Sequence, residues 1–485
     1  MRSILIYVIL SLLFQSFNLY SQGSESPLSV SGVIPSLTMT ADHYPRTEAG
    51  IGALLPWADR LWVITYVAHM TPTGSGTGLY EIDNNLVIKK HPESVVGTYA
   101  NRIIHGPSNQ LAIGPYLIDT LGTVRLIEEF KEHRLAATMR HLTDPNNKLY
   151  YLAMEGEFFE VNVHTLEVRE LFQLMDELKV PKGSKPHFKS GWTHHGRVVV
   201  ANNSYYEKDF YGEWTAGRLA EWDGHGGWII IEENPFTEVW SAQAFGHPMI
   251  AIGWDNISAI LRAYINGEWK RYRLPKGSRA FDQTSATEWM RIREVETERA
   301  LMDCHGIFYE IGYHTYADQL WSIKPISRHL RVIPDFCSWR GMLVLGGNQS
   351  TPMEFGRLND RNPLAGQPQA GLWFGMTDDL WKFGKPTGTG GVWYETRVQA
   401  HEYSDPYLMY GFDKKSVHLY HDAQETVEFT IETDFMGDGN FRIYKTIDVK
   451  PGEYVNYNFP DAYSAHWIRL SVNKECGATA IIIYN

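Results

Sequence analysis

The chain lacks most of the features that announce a mechanism. Its 485 residues hold only three cysteines, Cys304, Cys337 and Cys476. At most one disulfide can form, so the fold must stand on its core rather than on a cystine scaffold. Basic runs are missing too: the net charge of −12 is spread along the chain, which argues against nucleic acid, whose binding rests on neutralised phosphates. A polyanion could bind only at a local arginine cluster. Beyond the N-terminus no apolar run is long enough to cross a bilayer. There is no nucleophile elbow, phosphate loop or zinc-protease helix, and no carboxylate pair that would nominate a two-carboxylate glycosidase. Sustained helical periodicity is absent apart from a short helix expected around "ELFQLMDELKV".

At the N-terminus, Arg2 precedes an apolar stretch from Ile4 to Phe14, and small and polar residues follow. That pattern predicts an export signal over residues 1–22, cut near Ser21 or Gln22. No cysteine lies at the cut, so no lipid anchor is expected. The mature protein is expected to be soluble and exported, into the periplasm, without membrane insertion.

Aromatic residues are plentiful at 13%, with 27 Tyr, 16 Trp and 42 Gly, a composition that suits many short strands joined by tight turns. Apolar strands recur as "DRLWVITYV", "NQLAIG", "KLYYLAM", "GRVVVANN", "PMIAIGWD", "HGIFYEI" and "GMLVLGG", most with a second strand close behind. Their spacing averages about 47 residues, the length of a four-stranded propeller blade. Each unit is too small to bury its own sheet, so blades stacked around an axis fit better than an array of β-sandwiches. The expectation is an all-β, seven-bladed β-propeller over residues 30–395. From about Val398 the texture changes to alternating strands with the turn signals "GDGN" and "KPGE". This predicts a small C-terminal β-rich domain, residues 396–485, whose role is structural or, alternatively, glycan binding.

Polar and aromatic residues crowd five expected loops: "HYPRTEAG", "YANRIIHGPSNQ", "VVVANNSYYEKDF", "RIREVETERALMDCHG" and "GNQSTP". His, Tyr, Arg and Asn dominate there. Such a set suits a negatively charged sugar, because arginine forks pair with carboxylates and aromatic rings stack on sugar faces. It also suits β-elimination beside a uronate, where His or Tyr takes the C5 proton and Arg or Asn stabilises the growing charge. Arg46, Asn203 and Arg293 are the candidates to hold the uronate. The alternation of Arg291, Arg293 and Arg299 with Glu294, Glu296 and Glu298 also reads as ion pairs along a strand. The adjacent Cys304 and His305 are a possible metal pair, though a closed zinc site wants four ligands. His194, His195 and His421 read as turn residues.

The segments "HYPRTEAGIGALLPWADRLWVITY", "YANRIIHGPSNQLAIGP", "KPHFKSGWTHHGRVVVANNSYYEKD", "GRLAEWDG", "TEWMRIREVETER", "LMDCHGIFYE" and "TDDLWKFGKP" together resemble glycoside hydrolase family 145 over nearly the whole mature chain. More distantly the chain is similar to propeller lyases that act on rhamnose–uronate linkages. The resemblance implies a seven-bladed propeller that removes terminal L-rhamnose from α-1,4-linked D-glucuronic acid on arabinogalactan side chains. It implies hydrolysis by one histidine, His43 here, with help from the substrate's own glucuronate and no required cofactor. The plainer reading of His43 is a turn histidine, with Arg46 and Glu48 pairing or capping the chain entering the first blade. The lyase alternative, at the opposite face, would use His105, with Tyr205 and Arg218 and with Tyr116 where the lyase pattern has a second His. The plainer reading of both tyrosines is blade packing with a bonded hydroxyl. A relative's zinc on Cys and His, and calcium in the channel of others, make a structural or catalytic ion at Cys304 and His305 an open expectation. A third class is a non-catalytic propeller that only grips the glycan.

Overall fold

The computed structural model describes residues 49–67, 78–206, 216–242, 246–282, 290–350 and 368–485. His43, Arg46, Glu48 and the expected export signal lie outside the described residues, as do Thr351 and Pro352 of "GNQSTP", whose first four residues end the strand Met342–Ser350.

The described chain is a β-propeller with a β-sandwich at its C-terminal end. Sheets of antiparallel strands follow one another in sequence, most of them four-stranded: residues 49–90, 102–126, 135–173, 188–232, 236–274, 291–328 and 335–375. We number them one to seven in that order. In each sheet the first strand lies at one edge. These first strands are Ala49–Trp57, Arg102–His105, Leu135–Arg140, Phe188–His194, Phe236–Trp240, Arg291–Glu296 and Asp335–Trp339. Each touches the next, and the last touches the first. The ring they form closes the propeller and encloses a central channel.

The local cause is the alternation of side chains between the two faces of each strand. The second strands, such as Arg197–Asn202 and Met249–Trp254, are apolar on both faces because a neighbouring sheet covers each side. Apolar clusters therefore run from sheet to sheet, with Trp62, Leu111, Tyr116, Leu149 and Tyr151 in one of them. The first strands are different, because they also present side chains to the channel.

Residues 388–485 build two further layers. Gly388–Val398 pairs with Cys476–Tyr484, which continues through Lys415–His421 to Val455–Asn458. The other layer, Tyr407–Leu408, Trp467–Val472, Val427–Asp434 and Arg442–Val449, extends the outer edge of sheet five into an eight-stranded sheet. The junction is a parallel contact between Arg273 and Tyr407. The sandwich takes in the strand Gly388–Val398, so its first layer begins a few residues ahead of the change in sequence texture. Among the described residues no helix is long and apolar enough to cross a membrane.

Candidate functional site

The first strands of all seven sheets line a cavity of about 420 Å³ in the channel. Its wall carries Arg102, Arg140, Lys189, Arg291 and Arg293, with Glu238 and Glu294 among them, and Trp192 and Trp240 beside them. Buried charges persist only when paired, and here they are paired across sheets. Asp335, fully buried, accepts from Arg102 Nε at 2.5 Å, from Arg293 Nε at 2.7 Å and from the Leu54 backbone N–H at 2.9 Å. Arg293 also donates to Glu238 at 2.7 Å, and Arg291 to the other oxygen of Glu238 at 2.8 Å. The arginines beside Asp335 overcome the cost of its burial and hold its carboxyl down to about 2. Burial lowers the Arg291 guanidinium, whereas Asp335 and Glu238 together raise that of Arg293.

Among the described residues the wall is not electrically neutral. Three guanidiniums share the two carboxylates of Asp335 and Glu238, and Lys189 and Arg140 add two cations against Glu294. Arg140 is exposed at the end of its strand and has no carboxylate within 4 Å among the described residues. A chain of net charge −12 thus carries, among the described residues, more cationic than anionic side chains on its channel wall.

Where the first strands end, His194 lies near Arg140, and further histidines follow on from it. The His194 and His195 rings lie tilted with centroids 4.0 Å apart, and His195 Nε2 donates to the His247 carbonyl at 2.7 Å. The His247 ring lies 5.0 Å from Tyr313 and 5.2 Å from His314. Burial, reinforced by His195, His247 and Arg140, pushes His194 down to about 4. It is therefore neutral at ordinary pH and can accept a proton. Burial also lowers His247, against the opposite pull of Glu298 and Glu294.

The residues expected from sequence fall in several places. His105 ends the first strand of sheet two and caps the turn Gly106–Ser108: its Nδ1 meets Ser108 Oγ at 2.6 Å and its Nε2 the Pro145 carbonyl at 2.8 Å. Both ring nitrogens are engaged. Tyr116 is fully buried at the opposite end of the same sheet, opposite Ile113, which pairs with Arg102. Its hydroxyl accepts the Val95 N–H at 2.7 Å, and burial pushes it up to about 12. Asn203, Tyr205 and Arg218 do come together, beside His187 in sheet four. There Arg218 donates to the Gly217 carbonyl at 2.7 Å and lies 3.7 Å from Glu233. This group, His105 and Tyr116 do not form one site. Of the described sequence candidates, Arg293 alone lines the channel cavity.

Cys304 and His305 do not converge on one point. Cys304 Sγ packs 3.4 Å from Met290 Sδ in the core, while His305 turns the chain at φ 47° and lies 3.7 Å from Asp282 Oδ1. Among the described residues no group of three His, Cys, Asp or Glu side chains could hold a metal ion, and two residues facing different ways do not supply the ligand set zinc requires.

The channel residues Arg102, Arg140, Lys189, Glu238 and Asp335, and the histidines at its end, were not singled out by the sequence as a site. The "HH" of "WTHHGR" was the available signal for the histidines. Nothing local marks the others, because their partners lie far away in the chain, 233 residues apart for Arg102 and Asp335.

No family model matches the chain, and no curated protein matches it. Solved structures with similar architecture include the β-propeller domain of Cps50 (Swd1) from Myceliophteria thermophila, at 10% identity over 69% of this chain and 98% of that one, TM-score 0.38. The RRP9 WD40 repeats match at 10% identity over 68% and 99%, TM-score 0.39. An exo-β-1,3-galactanase from Phanerochaete chrysosporium, solved with galactose, matches at 8% identity over 79% and 100%, TM-score 0.27.

Proposed function

We propose that this propeller is a glycan-degrading enzyme that takes the rhamnose-capped glucuronic acid ends of arabinogalactan side chains and releases L-rhamnose by hydrolysis. The observation that carries the glycan class is the channel: a surplus of positive charge beside Trp192 and Trp240. Guanidiniums pair with a uronate carboxylate, and an indole face stacks on a pyranose ring. Hydrolysis rests on the family resemblance and on His43. A single histidine transfers the proton near neutral pH, with the glucuronate taking the place of the second acid. No metal is needed for that chemistry.

A second reading is favoured by His194. A neutral imidazole next to an arginine that has no carboxylate partner among the described residues is the pairing that elimination needs. Arg140 would neutralise the uronate carboxylate while His194 removes the C5 proton. The electrons then form the C4–C5 double bond, the C4–O bond breaks, and the leaving rhamnose oxygen takes up a proton.

The test is to incubate the full-length protein with rhamnose-capped arabinogalactan, assay free rhamnose, and follow the ultraviolet absorbance of an unsaturated uronate. Rhamnose with flat absorbance, abolished by His43→Gln, supports hydrolysis. Rhamnose with rising absorbance, abolished by His194→Ala, makes the enzyme a lyase. Neither product with retained glycan affinity leaves a binding protein.

A further inference from the structure

The channel cavity continues into a second cleft. Two first strands that touch each other, Ala49–Trp57 and Asp335–Trp339, both run from one to the other. Leu55 and Pro56 line the channel, and Pro56 and Trp57 line the cleft. On the facing strand Cys337 and Ser338 line the channel, and Trp339 and Arg340 line the cleft. The step from Leu55 to Trp57 is two strand residues, about 7 Å, and Pro56 lines both, so the cleft lies within reach of a sugar chain seated in the channel.

The cleft encloses about 460 Å³, and Asp59, Arg60 and Asn84 complete its polar wall. Its geometry is fixed before any ligand arrives. Trp57 Nε1 donates to the Asp119 carbonyl at 2.8 Å, and the Trp339 ring lies 6.1 Å from Phe374 and 5.9 Å from the Arg340 guanidinium. Asp59 and Arg340 each sit in a tight hairpin turn with left-handed backbone, φ 57° and 54°, which holds their side chains at the rim.

Charge separates this cleft from the channel. Arg60 is matched by Glu81 at 2.5 Å, and Asp59 shares the wall with Arg340, which donates to the Asn84 carbonyl at 3.1 Å. The cleft is therefore balanced, whereas the channel has surplus cation. The partly exposed Trp57 indole, with buried Trp339 in the wall beside it and Asp, Asn and Arg at the edge, suits the apolar face and neighbouring hydroxyls of an uncharged pyranose, because a charged acceptor or donor makes the stronger hydrogen bond to a hydroxyl.

We infer that the Trp57–Trp339 cleft is a subsite for a neutral pyranose of the same glycan, holding the uncharged stem while the channel holds the uronate end. The inference rests on the reading of the channel as a uronate site. The enzyme then reads a polarity, acidic end inward and neutral stem outward.

The test is calorimetric titration of the full-length protein with two probes: a neutral galacto-oligosaccharide of three hexoses, and the rhamnosyl-glucuronate disaccharide. The neutral trisaccharide is expected to bind, and Arg340→Ala and Asp59→Gly are each expected to weaken it about tenfold, the equivalent of one charge-assisted hydrogen bond. Neither change should alter affinity for the disaccharide. Both residues are exposed, and glycine accepts the left-handed turn, so folding is not at risk. No trisaccharide binding, or binding that both variants retain in full, overturns the inference. If the disaccharide binds in that case, the uronate reading of the channel survives alone. If neither probe binds, both readings fall.

Discussion

At the scale of single residues, the channel is held by carboxylates that cannot be spared. Asp335 is fully buried and faces Arg102 and Arg293. Asp335→Asn leaves two guanidiniums around a neutral amide, and breaking a buried pair from one side costs about 3–5 kcal/mol. Chemical denaturation should show a loss of that order, and a loss below about 1 kcal/mol would mean that the arginines find other partners. The same residue sets an acid limit. A carboxyl held at about 2 when folded, against ~3.9 unfolded, stabilises the fold fully above the unfolded value. That contribution is lost as pH falls from the unfolded value towards about 2. His194 works in a higher window. Its folded value of about 4 lies below the ordinary 6.5, so between these limits the unfolded chain binds the extra proton. Stability from His194 is complete above 6.5 and declines as pH falls to about 4. His194→Asn should shrink the difference in urea midpoint between pH 7 and pH 5, and an unchanged difference would show that His194 is not what titrates there.

At the scale of strands, the first strand of sheet one shows how closely the sheets approach. Its register slips between Ile51 and Ala53, and Gly52 sits in the bulge against the loop that enters sheet two. A Cβ on Gly52 would lie 1.8 Å from the Tyr99 carbonyl oxygen. Backbone rather than a flexible side chain stands in the way, so Gly52→Ala must move one sheet against the next. We expect a fall in stability of more than about 2 kcal/mol, visible as a depressed Tm, and a Tm within experimental error of wild type would contradict the close contact. Strands also explain what was legible in the sequence. The β-propeller was readable because strands apolar on both faces repeat, and six of the seven quoted strands are second strands of their sheets; the exception, Ile307–Gly312, is a third. The site was hard to see because the first strands mix core residues with charged ones. "RIIH", "LAATMR" and "FTEVW" give no clean period of two. Of the helix expected over "ELFQLMDELKV", all of "ELFQ" is strand and only Leu174–Glu177 is helical.

At the scale of the whole molecule, the C-terminal sandwich is joined to the propeller by strands, charges and core together. The strand Glu268–Leu274 would be the outer edge of sheet five, and Tyr407 pairs with it there. Asp405 then accepts from Arg271 at 2.6 Å and from Arg273 at 2.8 Å, while Asp255 also accepts from Arg273 at 2.8 Å. Behind this seam, Tyr272 of sheet five stacks near Trp467 of the sandwich at 4.9 Å, inside a cluster that also holds Tyr309 and Ile311 of sheet six. A separable domain would meet its neighbour through a modest and rather polar surface; here the charged seam is backed by a buried apolar cluster and continued by backbone pairing. Removing residues 388–485 should therefore uncover an unpaired strand edge and the side chains packed against it, which together promote aggregation. The truncated chain is expected to be insoluble or to elute as aggregate in size-exclusion chromatography. Asp405→Ala, which breaks the charged seam but keeps the core, should remain soluble with a single, lower-temperature unfolding transition. A soluble truncated propeller with the Tm of the full chain would show that the sandwich is an independent module. Two separate transitions in Asp405→Ala would show that the charged seam alone couples the two parts.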